Sequence, residues 1–210
     1  MADRIPLQNR VLPTGDIVSH PSKEGAFTGN RGIIHVADRQ LGTARWSHQA
    51  WICCTLDWQG RRRELMTGRK WTELFFLDEA VAMAAGHRPC GYCRRSAYRS
   101  FADRWADATG RHDSAKEMDR SLHAARIVKG TKTQKRHVAP VDDLPDGSFV
   151  TIEAGPALIL GDRLLPYSPE GYAPPIPRPT GETAEVLTPA PMVAVLRAGF
   201  QPVLHRSALL

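Results

Sequence analysis

The feature that most constrains this chain is a Cys-x-x-Cys pair, Cys90 and Cys93, placed between two helical patterns. The 210-residue chain has only four cysteines, and the other two are the adjacent residues Cys53 and Cys54. Two thiols held in a short rigid loop are typical ligands of a soft divalent metal, and a helix N-terminus beside them lowers the pKa of a thiol. The cysteine pattern therefore predicts a metal site, with free thiols as the alternative.

The segments on either side of Cys90 carry the start and stop signals of helices. Before it, Asp78 is a natural N-cap for the alanine-rich run 79–85, and Gly86 supplies the left-handed residue that ends such a run. After it, apolar residues at helical spacing predict a helix over residues 93–109. The cysteine pair is therefore expected in a short connection between two helices.

Residues 50–66 predict a β-hairpin with its turn at or next to Gln59-Gly60. Neighbouring residues of a strand point to opposite faces, so Cys53 and Cys54 are not both expected to bind one metal. Cys54 shares its face with apolar residues only and is the preferred ligand, with Cys53 as the alternate.

Three sulfur ligands, from Cys54, Cys90 and Cys93, leave a tetrahedral zinc site one ligand short. His87, three residues before Cys90, is the nearest candidate for the fourth ligand, and Cys53 is the next. If neither reaches the metal, the fourth position is open to water or substrate, as in catalytic zinc sites.

The composition changes at Pro140, since 12 of the 16 prolines lie at or beyond it. Residues 143–169 predict a β-meander with Gly-containing turns. A terminal helix is predicted from an N-cap at Thr188 to Gly199, followed by a closing strand over residues 199–204.

These elements predict an α+β fold with two parts. Residues 1–137 would form a small zinc-stabilised hairpin-plus-helices domain, which is basic and rich in tryptophan. A capping box at Ser114 and Glu117 predicts a third helix in this part. Residues 138–210 would form a proline-rich, β-rich region with a terminal helix, packed on the first part.

Charge is unevenly distributed along the chain. Residues 88–137 hold 13 Lys and Arg against 5 Asp and Glu, whereas residues 138–210 hold 4 against 8. A basic middle segment predicts a polyanionic partner, although a solvated helix surface gives the same pattern. The candidates for phosphate contacts follow the predicted turn or lie in the basic loop 129–137: Arg61, Arg62, Arg63, Lys132, Lys135 and Arg136.

The sequence contains no run of about 18 apolar residues, so we expect no membrane span. The N-terminus also lacks the apolar stretch of a secretory signal. We therefore expect a cytoplasmic protein. In a reducing compartment, cysteines bind metals or stay free more often than they form disulfides.

A phenylalanine-rich run, an alanine-rich helix, a glycine and an R-P-C-x-x-C knuckle followed by arginine occur in this order within residues 71–101. This segment resembles the metal-binding module of Ada-type DNA alkylation-repair proteins. The residues that carry the resemblance are Phe75, Phe76, Ala80, Ala84, Gly86, Arg88, Pro89, Cys90, Cys93 and Arg94.

The resemblance implies a zinc ion on Cys90 and Cys93, with Cys54 or Cys53 as the upstream ligand. It also implies that the module contacts DNA, with Arg94 and Arg95 on phosphates. In that family four cysteines hold the zinc, and some members use an upstream cysteine to accept a methyl group. The family's upstream cysteines are separated by three residues, whereas those of this chain are adjacent.

The leading hypothesis is therefore a zinc protein that binds nucleic acid, DNA rather than RNA, in DNA repair or a related DNA transaction. The rival is a zinc-dependent hydrolase or nuclease with an open coordination position, in which His123, Asp119 or His87 would carry protons. The Pro89-Cys90-x-x-Cys93 run is also the distal half of the zinc nucleobase-deaminase signature. That signature needs an upstream H-x-E or C-x-E, which this sequence lacks, so a deaminase is not favoured.

Overall fold

The computed structural model describes residues 5–60 and 64–209. Its first 90 residues contribute eight strands: β1 (Gln8–Val11), β2 (Ile17–Ser19), β3 (Phe27–Asn30), β4 (His35–Ala37), β5 (Gln40–Leu41), β6 (Ile52–Thr55), β7 (Leu74–Phe76) and β8 (Arg88–Pro89). β4 and β5 pair with each other, and the other six form one sheet in the order β2-β1-β7-β3-β6-β8. This first sheet is mixed, because β1 runs parallel to β7 and β6 runs parallel to β8, while its other neighbours are antiparallel.

The predicted hairpin over residues 50–66 is wrong. Its first strand exists as β6, but β6 pairs with β3 and β8 and not with a strand that follows the turn. Gln59 and Gly60 do turn the chain, with φ of 56° and 66°. β3, which is buried along its whole length, and β8 occupy the two edges of β6, so no edge is left for a strand after the turn.

The second sheet is antiparallel and takes its seven strands from the last 75 residues: β9 (His137–Pro140), β10 (Phe149–Ile152), β11 (Gly155–Leu160), β12 (Arg163–Ser168), β13 (Gly171–Tyr172), β14 (Ile176–Pro177) and β15 (Thr183–Val186). β10, β11 and β12 are consecutive antiparallel neighbours, which confirms the predicted meander.

The closing strand predicted over residues 199–204 is wrong. Val203 instead exchanges two hydrogen bonds of 3.0 Å with Glu79, through its backbone oxygen and nitrogen.

Among the described residues, four α-helices accompany the sheets: α1 (Glu79–Ala84), α2 (Arg95–Thr109), α3 (Ala115–Arg126) and α4 (Ala190–Arg197). The predicted caps of α1 and α3 are confirmed, since Asp78 accepts from the N–H of Val81 and Ser114 forms a capping box with Glu117. Thr188 does not cap α4; its hydroxyl oxygen accepts a hydrogen bond of 2.9 Å from the N–H of Phe149 instead. The α+β class and the β-rich C-terminal region are therefore confirmed, but a six-stranded mixed sheet replaces the expected hairpin.

Side chains from both sheets pack into one shared core, and side chains of the helices form another. One buried cluster combines Leu74 and Phe76 with Phe149 and Leu158, and a second combines residues of α2 and α3 with Met192 and Val195 of α4. Every residue of α1 is buried, so the chain that leaves it toward Cys90 starts from a fixed point. In the part of the chain that the structure describes, no helix is long and apolar enough to cross a membrane.

Candidate metal centre

The sulfur atoms of Cys54, Cys90 and Cys93 all lie within 4.8 Å of one another. Two thiolates bound to one tetrahedral zinc at about 2.3 Å are about 3.8 Å apart. The three side chains therefore need little movement to hold one ion. An all-sulfur donor set is one that zinc accepts readily, so the cluster fits a three-cysteine zinc site.

Backbone pairing brings the cluster together. β8 lies beside β6 in parallel, with Cys53 opposite Pro89, and the N–H of Cys90 donates to the carbonyl oxygen of Cys53 at 2.9 Å. Cys90 therefore lies next to Cys54. The N–H of Tyr92 donates to the sulfur of Cys90 at 3.4 Å, within the tight turn that carries Cys93 back to the same place.

The three thiols share their protons unequally. Hydrogen bonds with Cys90 and Cys93 raise the pKa of Cys54, and burial raises it further. Hydrogen bonds from Cys54 and Cys93 lower the pKa of Cys90. Ligand thiols bind metal as thiolates, so a divalent cation on the cluster would displace the thiol protons.

Cys53 lies on the other side of β6. It is 1% exposed and packs in the first hydrophobic cluster. Its sulfur accepts a hydrogen bond of 3.6 Å from Nη1 of Arg94, and burial raises its pKa. The structure therefore does not bring Cys53 to the other three cysteines.

His87 is also kept apart from the sulfur cluster. Its Nε2 accepts a hydrogen bond of 3.3 Å from Nε of Arg31, and its ring packs against Phe76 and Trp51, with centroids 4.6 and 5.3 Å away. Burial lowers its pKa well below the usual value, so the ring is neutral. Among the described residues, no histidine, aspartate or glutamate joins the three sulfurs as a fourth ligand.

The three cysteines form part of the wall of a cavity of about 430 Å³. This volume lies in the range of small-molecule binding sites. Most of the remaining wall is aromatic or polar, and it includes Trp58, Trp71, Phe75, Tyr92, Thr28, Asn30 and Glu73. A metal on the cysteines would therefore lie at the edge of a ligand-sized space.

Glu73 is the cavity residue that the sequence analysis missed. It is 5% exposed, and its Oε2 accepts a hydrogen bond of 2.8 Å from the N–H of Met66. Within residues 5–60 and 64–209, it takes part in no ion pair. The sequence does place this acidic residue directly before the apolar strand β7. A glutamate is rarely buried there without a partner, and this position could have marked Glu73 as a functional candidate.

The proton carriers considered for an enzyme lie elsewhere. Asp119 accepts hydrogen bonds from Nε and Nη2 of Arg88, at 2.8 and 2.7 Å. His123 packs edge-on against Trp46, with ring centroids 5.4 Å apart. Neither residue lines the cavity.

The predicted phosphate contacts beside the knuckle differ in availability. Nη1 of Arg94 donates to Glu79 at 2.5 Å, and its guanidinium lies over the ring of Phe27, 4.5 Å from the centroid. This side chain is therefore engaged inside the protein. Arg95 is exposed at the start of α2. Arg61, Arg62 and Arg63 lie outside the described residues.

The predicted contacts in the basic loop are also of two kinds. Lys132 donates to the carbonyl oxygen of Thr43, and Arg136 to that of Thr14, both at 2.8 Å. The loop therefore packs on the N-terminal segments through Lys132 and Arg136, while Lys129 and Lys135 are exposed.

Comparison with known proteins assigns neither a family nor a function to this chain. The chain matches no protein-family model, and neither a curated protein nor a solved structure is significantly similar to it.

Proposed function

We propose that this protein is a zinc-dependent hydrolase of a small substrate. Cys54, Cys90 and Cys93 would hold the zinc ion, and its fourth position would be open to the adjacent cavity. The observation that carries this proposal is that the sulfur cluster borders a ligand-sized cavity and, among the described residues, has no fourth protein ligand. Structural zinc sites are closed by four protein ligands, whereas catalytic sites keep one position open.

A bound zinc ion supplies Lewis acidity and lowers the pKa of a nearby water. The chain supplies a proton carrier in Glu73, which lies in the same cavity wall without belonging to the sulfur cluster. The hydrogen bond from the N–H of Met66 fixes one oxygen of its carboxylate and orients the group. In the zinc nucleobase deaminases, whose signature this chain lacks, a glutamate that does not bind the zinc also carries the proton.

The cavity walls indicate what kind of substrate fits. Trp58 and Tyr92 lie together, with ring centroids 5.5 Å apart, and Trp71 and Phe75 add two further aromatic side chains. Aromatic walls favour a flat, partly apolar ligand. We therefore expect a small substrate with an unsaturated ring beside the bond that is cleaved.

The first test needs no knowledge of the substrate. The protein is loaded with cobalt(II) in place of zinc, and its visible absorption is recorded with and without azide or imidazole. A site with an exchangeable fourth position changes its spectrum when the added ligand binds. A spectrum that stays the same at saturating azide and imidazole indicates a closed site and contradicts the proposal.

The second test is hydrolysis of a panel of esters, amides, amidines and phosphodiesters by the zinc-loaded protein. Glu73→Gln should retain zinc and lose most of any activity found, because its amide cannot carry the proton. Glu64→Gln is the matched control, since Glu64 is exposed and does not line the cavity. Equal activity in Glu73→Gln and wild type would remove Glu73 from the proposal.

DNA binding, in repair or a related transaction, is a second candidate function, and the position of Arg95 favours it. Arg95 lines an open groove of about 670 Å³ together with Ser96 and Ser100, and this groove shares Trp58 and Tyr92 with the cavity. Cationic and hydroxyl side chains beside aromatic rings are the groups that contact phosphates and stack on unpaired bases.

Fluorescence anisotropy with single- and double-stranded oligonucleotides tests this second function. Affinity should fall steeply with salt, and Arg95→Gln should weaken binding and reduce the salt dependence. Arg120→Gln, which changes an exposed arginine of α3, is the control. No binding at low ionic strength contradicts this function and leaves the hydrolase proposal intact.

A further inference from the structure

A second cavity, of about 360 Å³, carries four cationic side chains in its wall. They are Arg31, Arg45, Lys132 and Arg136, and Asp16 is the acidic residue among the lining residues. This cavity lies across the first sheet from the cysteines. Asn30 and Ile52 line the first cavity, whereas their chain neighbours Arg31 and Trp51 line the second, as expected where successive side chains of extended chain point to opposite faces.

None of the four cations forms an ion pair within the described part of the protein, although the charge of Asp16 in the same wall favours the charged forms of Arg31 and Arg136. Within the described ranges, none of them has a carboxylate oxygen within 4.0 Å. Arg31 is only 2% exposed, and its Nη2 donates to the carbonyl oxygen of Gly15 at 3.0 Å. A buried charge without a counter-ion is costly, so a positive cluster of this kind favours an anion from outside the chain.

Arg136 gives a second, independent indication. Its Nη2 donates to the carbonyl oxygen of Thr14, but its Nη1 is buried and has no hydrogen-bond partner in the described structure. A buried donor without a partner destabilises the fold, because it has lost its hydrogen bonds to water. The chain thus holds a guanidinium beside the cavity with donor capacity that the protein does not use.

Further positive charge lies directly behind the cavity. The guanidinium groups of Arg31 and Arg126 lie over the ring of Trp51, 4.0 and 3.8 Å from its centroid. Burial lowers the pKa of Arg31 to about 9, and the nearby charge of Arg45 lowers it too, while Asp16 opposes this shift. An anion in the cavity would relieve the repulsion among these groups.

We propose that this cavity binds the phosphate group of a small phosphorylated ligand. Arginine side chains recognise phosphate through two parallel N–H donors, and the hydroxyl group of Thr133 is a further donor in the wall. Trp46 and Trp51 offer an apolar surface for the organic part of the ligand. Because Arg31 is buried in the cavity wall, its position suits the terminal phosphate of a small molecule better than the backbone of a DNA duplex.

The test uses isothermal titration of the full-length protein with inorganic phosphate, AMP and adenosine, at constant ionic strength set with sodium chloride. Inorganic phosphate and AMP should bind at one site per chain, and adenosine should bind much more weakly than AMP. The double variant Arg45→Gln/Lys132→Gln should bind AMP about tenfold or more weakly, because it removes two charge-assisted contacts. These two residues are more exposed than Arg31, so the variant should fold, which its thermal melting curve verifies.

Lys129→Gln is the matched control, since Lys129 is exposed in the same loop but does not line the cavity. It should bind AMP like the wild type. Cys54→Ser should also bind AMP like the wild type, because no cysteine lines this cavity. This variant therefore separates failure of the phosphate site from failure of the zinc proposal. The proposal is overturned if neither phosphate nor AMP binds at millimolar concentrations, or if the double variant and Lys129→Gln bind AMP equally. Binding of oligonucleotides without binding of AMP would overturn it in favour of a nucleic-acid surface.

Discussion

Cys53 and Cys54 are consecutive residues of β6, yet their sulfur atoms lie on opposite sides of the first sheet. The sulfur of Cys54 lies within 4.8 Å of those of Cys90 and Cys93. The sulfur of Cys53 lies in the hydrophobic core and accepts a hydrogen bond from Arg94. Strand geometry alone separates two neighbouring thiols into a ligand of the proposed metal and a core side chain.

Serine variants of these two neighbours should therefore behave differently. Purified wild-type protein should contain about one zinc per chain, because structural and catalytic sites of this ligand set bind zinc tightly. Cys54→Ser should lose the metal, whereas Cys53→Ser should keep it and lose about 1–2 kcal/mol of unfolding free energy by burying a hydroxyl group. Elemental analysis and urea unfolding measure the two effects. Loss of zinc from Cys53→Ser alone would contradict the assignment of Cys54.

The parts of the fold predicted correctly are those specified by neighbouring residues. Asp78 and Ser114 accept hydrogen bonds from backbone N–H groups three residues later in the chain. The starts of α1 and α3 could therefore be predicted from a few neighbouring residues. Strand alternation likewise separated Cys53 from Cys54. These signals act over a few residues and do not depend on the rest of the fold.

The true partners of β6 and the cavity could not be predicted because they depend on distant segments. β6 pairs with β3, more than twenty residues earlier, and with the two-residue strand β8, which has no strand pattern of its own. Glu73 becomes a cavity residue only when β3, β6 and the Cys90 turn come together. His87 precedes Cys90 by only three residues, but its ring packs against Phe76 and Trp51, away from the three sulfur atoms.

The buried ion pair of Arg88 and Asp119 should be one of the costliest contacts to break. Both side chains are less than 10% exposed and meet through two hydrogen bonds, so Asp119→Asn leaves Arg88 buried without its counter-ion. Unfolding in urea should show a loss of about 3–5 kcal/mol. The exposed pair of Arg104 and Asp107 is the control, and Asp107→Asn should cost less than about 1 kcal/mol. Similar losses in the two variants would show that burial does not decide the effect.

The capping box of α3 should give the protein a contribution to stability that disappears in acid. Hydrogen bonds from the hydroxyl and the backbone N–H of Ser114 lower the pKa of Glu117. A carboxyl group whose pKa is lower in the folded state stabilises the fold above its unfolded pKa, about 4.3. That contribution is lost as the pH falls through the folded pKa.

Unfolding free energies of wild type and Glu117→Gln, measured between pH 7 and about pH 3, test this expectation. The wild type should be the more stable protein at neutral pH, and the difference should shrink below about pH 4. Glu153→Gln, in an exposed turn, controls for the general effect of removing a negative charge. A difference between wild type and Glu117→Gln that does not change with pH would contradict the ionic part of the cap.

Gly86 and Gly110 both end helices in the left-handed conformation, with φ of 82° and 69°, but only Gly86 is crowded. A Cβ atom on Gly86 would lie 2.5 Å from Cδ of Arg126, whereas a Cβ on Gly110 would meet nothing within 4 Å. Gly110→Ala should therefore cost about 1–2 kcal/mol from backbone strain alone. Gly86→Ala should cost about 1–3 kcal/mol more, because Arg126 must move in a packed site.

The same comparison tests how the metal centre is held. Nη1 of Arg126 donates to the carbonyl oxygen of Gly86 at 2.6 Å, and this contact fixes the chain just before it reaches Cys90. If Arg126 is displaced, the Cys90 turn should shift, and zinc affinity, measured by competition with a chromophoric chelator, should fall in Gly86→Ala. Gly110 lies at the far end of α2 from Cys93, so Gly110→Ala should keep wild-type zinc affinity. Equal zinc affinity in the two variants would mean that the cysteine cluster is positioned by the pairing of β6 with β8 and not by the end of α1.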